Sequence, residues 1–265
     1  MTSAGFAAED RALLRVGGPD ARHFLQNLVT NDVRRLDQGP VYAALLTPQG
    51  KYLFDFLLVA DGDAVLVDVA AGRAAALAQR LGLYRLRAAV TIEADPRTVL
   101  VGIGERPDLP LAFADPRDPA LGWRAYVADP GAVALAPLEP EALTALRVAH
   151  RVPETGIELV PEASYILEMG FERLGGVDFR KGCYVGQEVT ARMKHKTDLK
   201  KGLVAVALDG PPPPPGTEIR AGDRSAGTLF SSAGERALAF LRFDRAEGPL
   251  EAAGVPLRAE LPDRA

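Results

Sequence analysis

The single cysteine, Cys183, is the sequence feature that most limits what this chain of 265 residues can fold into. One thiol cannot form an intramolecular disulfide. It also cannot supply a zinc site made of several cysteines, or the usual four thiolates of an iron–sulfur cluster. The fold must therefore be stabilised by a hydrophobic core. Hydrophobic residues make up 48% of the chain and charged residues 25%, which is sufficient for such a core and typical of globular proteins.

Charge and terminal composition bear on location and partners. The formal net charge is -4, whereas a general nucleic-acid binder would carry a basic field. The first residues lack the basic region followed by an apolar run that marks a signal peptide, and no apolar stretch is as long as a membrane span. We therefore predict a cytoplasmic, monomeric protein with no membrane contact and no direct contact to nucleic acid.

The apolar pattern of the first two thirds of the chain predicts alternating strands and helices, as in an α/β protein. Asp20 is predicted to cap a helix, and a second short helix is predicted to carry Glu168. The turn T-P-Q-G at residues 47–50 is flanked by two apolar runs, which is typical of a β-hairpin. Further elements are predicted as a strand at Trp123–Val127 and helices at Ala71–Leu81 and Pro140–Arg151.

The last third of the chain has a different pattern. After Arg192, the short apolar runs L-V-A-V-A-L, S-A-G-T-L-F and A-L-A-F-L-R-F alternate with turns, which predicts a small C-terminal β-barrel. The five prolines at 211–215 are interpreted as a rigid loop between two barrel strands rather than as a linker. We predict two domains, residues 1–195 and 196–265.

The segment K-G-C-Y-V-G-Q-E, residues 181–188, is the strongest candidate for chemistry. A thiol is reactive when it is partly exposed beside positive charge, and Lys181 is two residues from Cys183. The alternative is a buried cysteine that acts as a small hydrophobic residue. Lys181, Gly182, Gly186, Gln187 and Glu188 make a poor core segment, which favours the functional interpretation. Tyr184 is the remaining polar residue of the motif.

Two carboxylates are further candidates. Asp55 interrupts the apolar run Y-L-F-D-F-L-L-V, where strand alternation predicts that Tyr52 lies on the opposite face from Asp55. A buried aspartate there suits a general base or the binding of a ligand amine, and the alternative is an exposed strand residue. Glu168 can accept two hydrogen bonds from a planar donor pair, or it can be a surface residue of a helix. The spacing of the three histidines predicts no metal site.

Residues 181–188 resemble the signature of the YgfZ family of folate-binding proteins, which are relatives of the T-protein (aminomethyltransferase) of the glycine cleavage system. The resemblance extends over R-V-G-G-P-D-A-R-H-F-L-Q-N-L-V-T-N-D-V, L-L-T-P-Q-G-K-Y-L-F-D-F and R-V-P-E-T-G-I-E-L. It implies an α+β, T-protein-like fold of α/β subdomains with a small C-terminal β-barrel, arranged around a folate pocket.

The resemblance also implies a ligand and site residues. The ligand is tetrahydrofolate or a derivative, with Glu168 at the pteridine and Asp55 at the reactive nitrogens. Tyr84 and Arg173 are further expected folate contacts. Lys181 and Cys183 are the expected functional pair, with Asp55 as a third catalytic candidate.

The function implied is that of an accessory protein for the assembly or maintenance of iron–sulfur enzymes, including tRNA-modifying ones. Iron–sulfur enzymes or cluster-assembly proteins are then its partners. In that role, Cys183 can trap a one-carbon unit, accept sulfur or offer one cluster ligand. The alternatives are a folate-dependent aminomethyltransferase or demethylase acting on a small amine, and a scaffold in which folate is structural. Because D-F-R-K-G-C-Y-V-G-Q-E departs from the T-protein sequence, the accessory role is favoured.

Overall fold

The computed structural model describes residues 3–196 and 198–261. Thr197, which lies next to the predicted domain boundary, is outside the described residues. In the described part of the chain, the strands form a five-stranded sheet, a four-stranded sheet and a closed six-stranded barrel. None of the described helices is long and apolar enough to cross a membrane.

The five-stranded sheet positions most of the candidate residues. Its strands are β2 (Arg11–Gly17), β3 (Val41–Leu46), β4 (Tyr52–Asp61), β5 (Ala64–Ala70) and β6 (Thr91–Asp95), in the antiparallel order β3-β4-β5-β2-β6. Strands β3 to β5 are apolar on both faces because both faces are covered. One face packs against α1 (Ala21–Gln26) and α2 (Ala74–Tyr84), and the other packs into the largest core cluster.

The four-stranded sheet shares that largest core cluster. Its strands are β1 (Ala4–Ala7), β7 (Thr98–Ile103), β8 (Ala112–Ala114) and β9 (Trp123–Val127), in the order β1-β7-β9-β8. Outside the barrel, the remaining α-helices in the described residues are α3 (Pro140–Ala149) and α4 (Gln187–Lys196). Short 3-10 turns lie at Val33–Asp37, Ala71–Arg73, Pro119–Leu121 and Pro130–Ala132.

The C-terminal barrel contains β10 (Lys201–Leu208), β11 (Glu218–Ala221), β12 (Arg224–Ala233), β13 (Arg236–Arg242), β14 (Leu250–Ala252) and β15 (Val255–Ala259). A 3-10 turn lies at Phe243–Arg245. Pairing of β10 with β15 closes the barrel around its own apolar core. The prolines at 211–215 lie in the connection between β10 and β11, as predicted. The predicted α+β class and C-terminal barrel are therefore confirmed.

Two local predictions are wrong. Asp20 makes no side-chain cap on α1, because its carboxylate accepts a hydrogen bond from the Ala89 backbone N–H at 2.8 Å instead. Glu168 lies on a succession of turns rather than on a helix. Gly170, two residues later, has a left-handed φ of 82°, which is incompatible with helix continuation.

A buried ionic network joins the two sheets. The Asp68 carboxylate on β5 accepts hydrogen bonds from Arg11 Nε on β2 at 2.7 Å, and from Arg124 Nη1 at 2.9 Å and Tyr126 Oη at 3.1 Å on β9. Asp115 continues the network by pairing with Arg124 at 3.0 Å. Burial acts to raise the pKa of Asp68, but the adjacent Arg11 and Arg124 outweigh it, so the pKa lies below its ordinary value. These charges are buried but paired, as buried charges must be.

We expect Asp68→Asn to lower the free energy of unfolding by about 3–5 kcal/mol at neutral pH, because it removes the carboxylate shared by the buried Arg124 and the half-buried Arg11. Asp209→Asn, in an exposed pair with Arg258, is the control and should have a much smaller effect. Chemical denaturation measures both.

The difference in stability between wild type and Asp68→Asn should become smaller in acid. A carboxylate with a lowered pKa contributes stability above its unfolded-state pKa, and that contribution is lost as pH falls. The gap between wild type and Asp68→Asn should therefore narrow below about pH 4. A gap that is constant with pH would contradict an ionised Asp68.

Candidate functional site

The loop at residues 181–186 presents the single thiol to solvent. Cys183 is a free, exposed cysteine. Gly182 before it is also exposed and has a left-handed φ of 99°, a conformation that glycine adopts at little cost. Of the two interpretations of this cysteine, the buried hydrophobic one is therefore wrong.

Lys181 and Tyr184, on either side of this exposed pair, are buried. The Lys181 ammonium donates hydrogen bonds to the carbonyl oxygens of Gln26, at 2.6 Å, and Val29. Burial lowers the pKa of Lys181 to about 8, although the charges of nearby carboxylates oppose that shift. Both of these hydrogen bonds go to the N-terminal segment. Within residues 3–196 and 198–261, the ammonium forms no hydrogen bond with Cys183.

The second glycine of the motif allows the loop to pack on the β-hairpin turn. Gly186 has a φ of 82°, and a Cβ there would lie 2.5 Å from the Thr47 carbonyl oxygen and 3.0 Å from the Gly50 Cα. No other residue fits without moving backbone. Gln187 then begins α4, and Glu188 on its first turn is exposed and pairs with Arg192 at 3.0 Å. The motif glycines thus shape the loop, and its polar residues start the following helix.

A buried polar hub fixes the chain that leads into the motif. The Thr30 hydroxyl donates to the Gly176 carbonyl at 2.7 Å and accepts from the Ala44 N–H at 2.8 Å. The Asn31 side-chain amide donates to the carbonyls of Tyr42 at 2.8 Å and Gly175 at 2.6 Å. These long-range roles of Thr30 and Asn31 were not predicted from the sequence. The available signal was the small polar run T-N-D directly after an apolar helix, which is typical of side chains that bond backbone.

Asp55 is buried, and three hydroxyl groups surround its carboxylate. It accepts hydrogen bonds from Tyr42 at 3.0 Å, Tyr52 at 2.8 Å and Thr155 at 2.5 Å. Burial raises the pKa of Tyr42 and of Tyr52, and the charge of Asp55 adds to both shifts, so both phenols stay protonated donors. The Asp55 carboxylate thus joins β3, β4 and the loop at Thr155.

The predicted alternation along β4 is wrong at one point. The register shifts between Leu45 and Leu46 of the partner strand, which pair with Phe54 and Tyr52 and leave Leu53 as an extra residue. Such a bulge reverses the side on which the preceding residue lies. Tyr52 therefore shares the face of Asp55 instead of opposing it.

In the described residues, the other three expected folate contacts form no hydrogen bond with Asp55. Glu168 is partly buried where the barrel joins the rest of the fold, 3.5 Å from the Lys201 ammonium. Burial raises the pKa of Glu168, and Lys201 opposes the shift. Arg173 is exposed and donates to the Arg151 carbonyl at 2.7 Å. Tyr84 ends α2 and packs on the opposite face of the five-stranded sheet from Asp55.

Two cavities lie close to the ionic network. The first, of about 230 Å³, is lined by the aromatic rings of Phe6 and Trp123 and by charged side chains of both signs: Arg11, Arg117, Arg124 and Arg147 with Asp10, Asp115 and Glu154. The second, of about 430 Å³, is lined by residues that include Arg35, Tyr42, Asp115 and Gly175. Asp55, Glu168, Tyr84 and Arg173 line neither of these two cavities. Within residues 3–196 and 198–261, no group of three or more histidine, cysteine, aspartate or glutamate side chains is placed to hold a metal ion.

Comparisons with known proteins identify relatives over nearly the whole chain. The mouse protein named iron-sulfur cluster assembly factor IBA57, mitochondrial, is 31% identical over 97% of this chain and 84% of its own length. The human protein of the same name is 32% identical over 98% of this chain and 85% of its own length. Residues 200–265 match the family described as CAF17, C-terminal beta-barrel domain.

A solved structure shows the same fold. The glycine cleavage system aminomethyltransferase T from Bartonella henselae superposes with a TM-score of 0.81, covering 98% of this chain and 85% of that one at 15% identity. The predicted T-protein-like fold is therefore confirmed. At that identity the likeness concerns the fold alone.

The relatives also correct two expectations. They carry the name IBA57, so the resemblance to the YgfZ family identified a related family rather than this one. The predicted cytoplasmic location is wrong by this comparison, since both relatives are mitochondrial. That prediction rested on features that the sequence lacks, and such an absence does not specify a compartment. With more than 30% identity over almost its whole length, the chain belongs to the IBA57 family of iron–sulfur cluster assembly factors.

Proposed function

We propose that this protein assists iron–sulfur cluster assembly by offering Cys183 as one exposed thiolate ligand to a cluster in transit. The observation that carries the proposal is the contrast within one loop. Cys183 is exposed, whereas Lys181 and Tyr184 on either side of it are buried. A thiolate presented on a fixed loop can reach a cluster that a second protein holds. Membership of a family of cluster assembly factors supports this role.

A single thiolate makes the cluster a shared cargo. An iron–sulfur cluster usually has four thiolate ligands, so this chain supplies one and the others come from a cluster-assembly partner or from small thiols. Such a cluster with its thiolates is anionic. Arg180, three residues before the thiol, is exposed, and its charge favours an anion. The clients are iron–sulfur enzymes, including those that modify tRNA, as the sequence resemblance implies.

A second function, folate binding, is supported by the arginine-lined cavity. Arginine side chains bind carboxylates and stack on planar rings, and tetrahydrofolate carries both groups. The cavity places Arg117 and Arg147 near the aromatic rings of Phe6 and Trp123. Three hydroxyls already bond the Asp55 carboxylate, and Asp55 lines neither cavity, so we favour a bound folate over aminomethyl transfer.

The first test removes the thiol. Anaerobic reconstitution with iron, sulfide and glutathione should give wild type a cluster chromophore in visible absorption and circular dichroism. Cys183→Ala should lose it, because the chain has no second thiol. Cys183→Ala should unfold at the wild-type temperature, since an exposed side chain contributes little to stability.

The control for that experiment is His195→Ala, which removes an exposed side chain from α4 and leaves the thiol in place. It should bind cluster as wild type does. Equal cluster binding by Cys183→Ala and wild type would contradict the proposal.

The second test asks where folate binds. We expect tetrahydrofolate to bind wild type and Cys183→Ala equally in calorimetry, and Thr144→Trp to weaken binding at least about tenfold, because an indole at Thr144 fills the arginine-lined cavity. Glu168→Gln separates the two possible places. Weaker binding in Glu168→Gln with normal binding in Thr144→Trp would move the site to the barrel junction, and no binding by wild type would contradict the folate function.

A further inference from the structure

We infer that Lys181 and Gln26 form a reciprocal clamp that fixes the loop bearing Cys183, so that Lys181 acts on the thiol by position rather than by charge. The inference rests on the role proposed above for Cys183. It makes Lys181 and Gln26 positioning residues, although they lie 155 positions apart in the chain.

The clamp is built on the unpaired end of α1. Gln26 is the last residue of that helix, and the carbonyls of a final helical turn lack partners within the helix. The Lys181 ammonium is the donor to these carbonyls: it donates to the carbonyl oxygen of Gln26 at 2.6 Å and to that of Val29, just beyond the helix. A cation is also the favoured charge at a helix C-terminus. The side chain of Lys181 therefore completes α1 from a distant part of the chain.

Gln26 returns the contact. Its side-chain amide donates to the Lys181 carbonyl at 3.4 Å, a long hydrogen bond, while its side-chain oxygen accepts from the Val33 N–H at 2.7 Å. The main chain of Lys181 and its ammonium are thus both bonded to the same residue. Because the backbone itself is held, the position of the next residues is constrained as well as that of the lysine side chain.

The burial of the Lys181 ammonium requires that its hydrogen bonds be satisfied. A buried ammonium is costly unless its donors are satisfied, and Lys181 is only 7% exposed. The Tyr184 ring, whose centroid lies 5.3 Å from the Lys181 nitrogen, covers the same group from within the loop. The Lys181 ammonium thus contacts both the end of α1 and Tyr184, the other buried residue of the loop.

The two ends of the loop are held independently. Lys181 fixes one end on α1, and Gly186 fixes the other on the turn at Thr47–Gly50. Cys183 lies on the short span between them. Fixing both ends removes backbone freedom before a cluster arrives, so less conformational entropy is lost when the thiolate becomes a ligand.

The decisive experiment compares a clamp variant that keeps the lysine charge with one that removes it. Gln26→Ala breaks the return contact and leaves Lys181 cationic, whereas Lys181→Met removes the charge and the two carbonyl bonds. Lys200→Met, which removes an exposed lysine, is the charge control. For each protein, three quantities are measured: amide hydrogen exchange of residues 181–186, the pH midpoint of Cys183 alkylation by iodoacetamide, and cluster retention after reconstitution.

The clamp predicts that Gln26→Ala and Lys181→Met both speed exchange in the loop by at least about threefold and both retain less cluster, with Lys200→Met at wild-type values. It also predicts an unchanged alkylation midpoint in Gln26→Ala. The inference is overturned if Gln26→Ala matches wild type in exchange and retention while Lys181→Met raises the alkylation midpoint, because the lysine then acts through its charge.

The design keeps two failures apart. If Lys181→Met does not fold, Gln26→Ala decides alone, because it keeps every charge. If wild type takes up no cluster, the proposed function fails, whereas exchange and alkylation still decide the clamp.

Discussion

The hydrogen bonds of Thr30 and Asn31 are the constraint on which the candidate site depends. These two buried side chains bind strand β3 on one side and the backbone at Gly175 and Gly176 on the other. A Cβ at Gly176 would lie 2.6 Å from the Phe171 ring, so the approach requires glycine there. This junction delivers the chain to Lys181, and the contacts of Lys181 and Gly186 then decide that Cys183 is exposed. The exposure of one thiol thus follows from buried polar contacts elsewhere.

Buried polar contacts also hold the two sheets together. Asp68 and Asp115 share Arg124 between them, so the interface between sheets is a fully paired set of charges rather than a purely apolar contact. Such a network fixes register more strictly than apolar packing does. It also leaves arginine side chains along the edge of a cavity. The cavity wall and the junction between the sheets are therefore built in part from the same residues.

Local sequence signals predicted much of the fold and part of the site. The hairpin at T-P-Q-G, the strand at Trp123–Val127 and the barrel follow from turn residues and apolar periodicity, which act over a few neighbours. The prediction failed where a distant partner decided the outcome. The bulge at Leu53 moved Tyr52 to the face of Asp55, where its hydroxyl donates to the carboxylate.

The sequence by itself determined that any cluster chemistry is limited to one thiol, that glycines flank this thiol, and that a barrel ends the chain. These are matters of composition and short-range pattern. Only the tertiary structure decided that the Lys181 ammonium bonds the end of α1, and that the Asp55 carboxylate bonds the hydroxyls of Tyr42, Tyr52 and Thr155. The reason is physical: a buried ammonium or carboxylate takes the partners that the folded chain brings to it, and spacing along the sequence does not specify them.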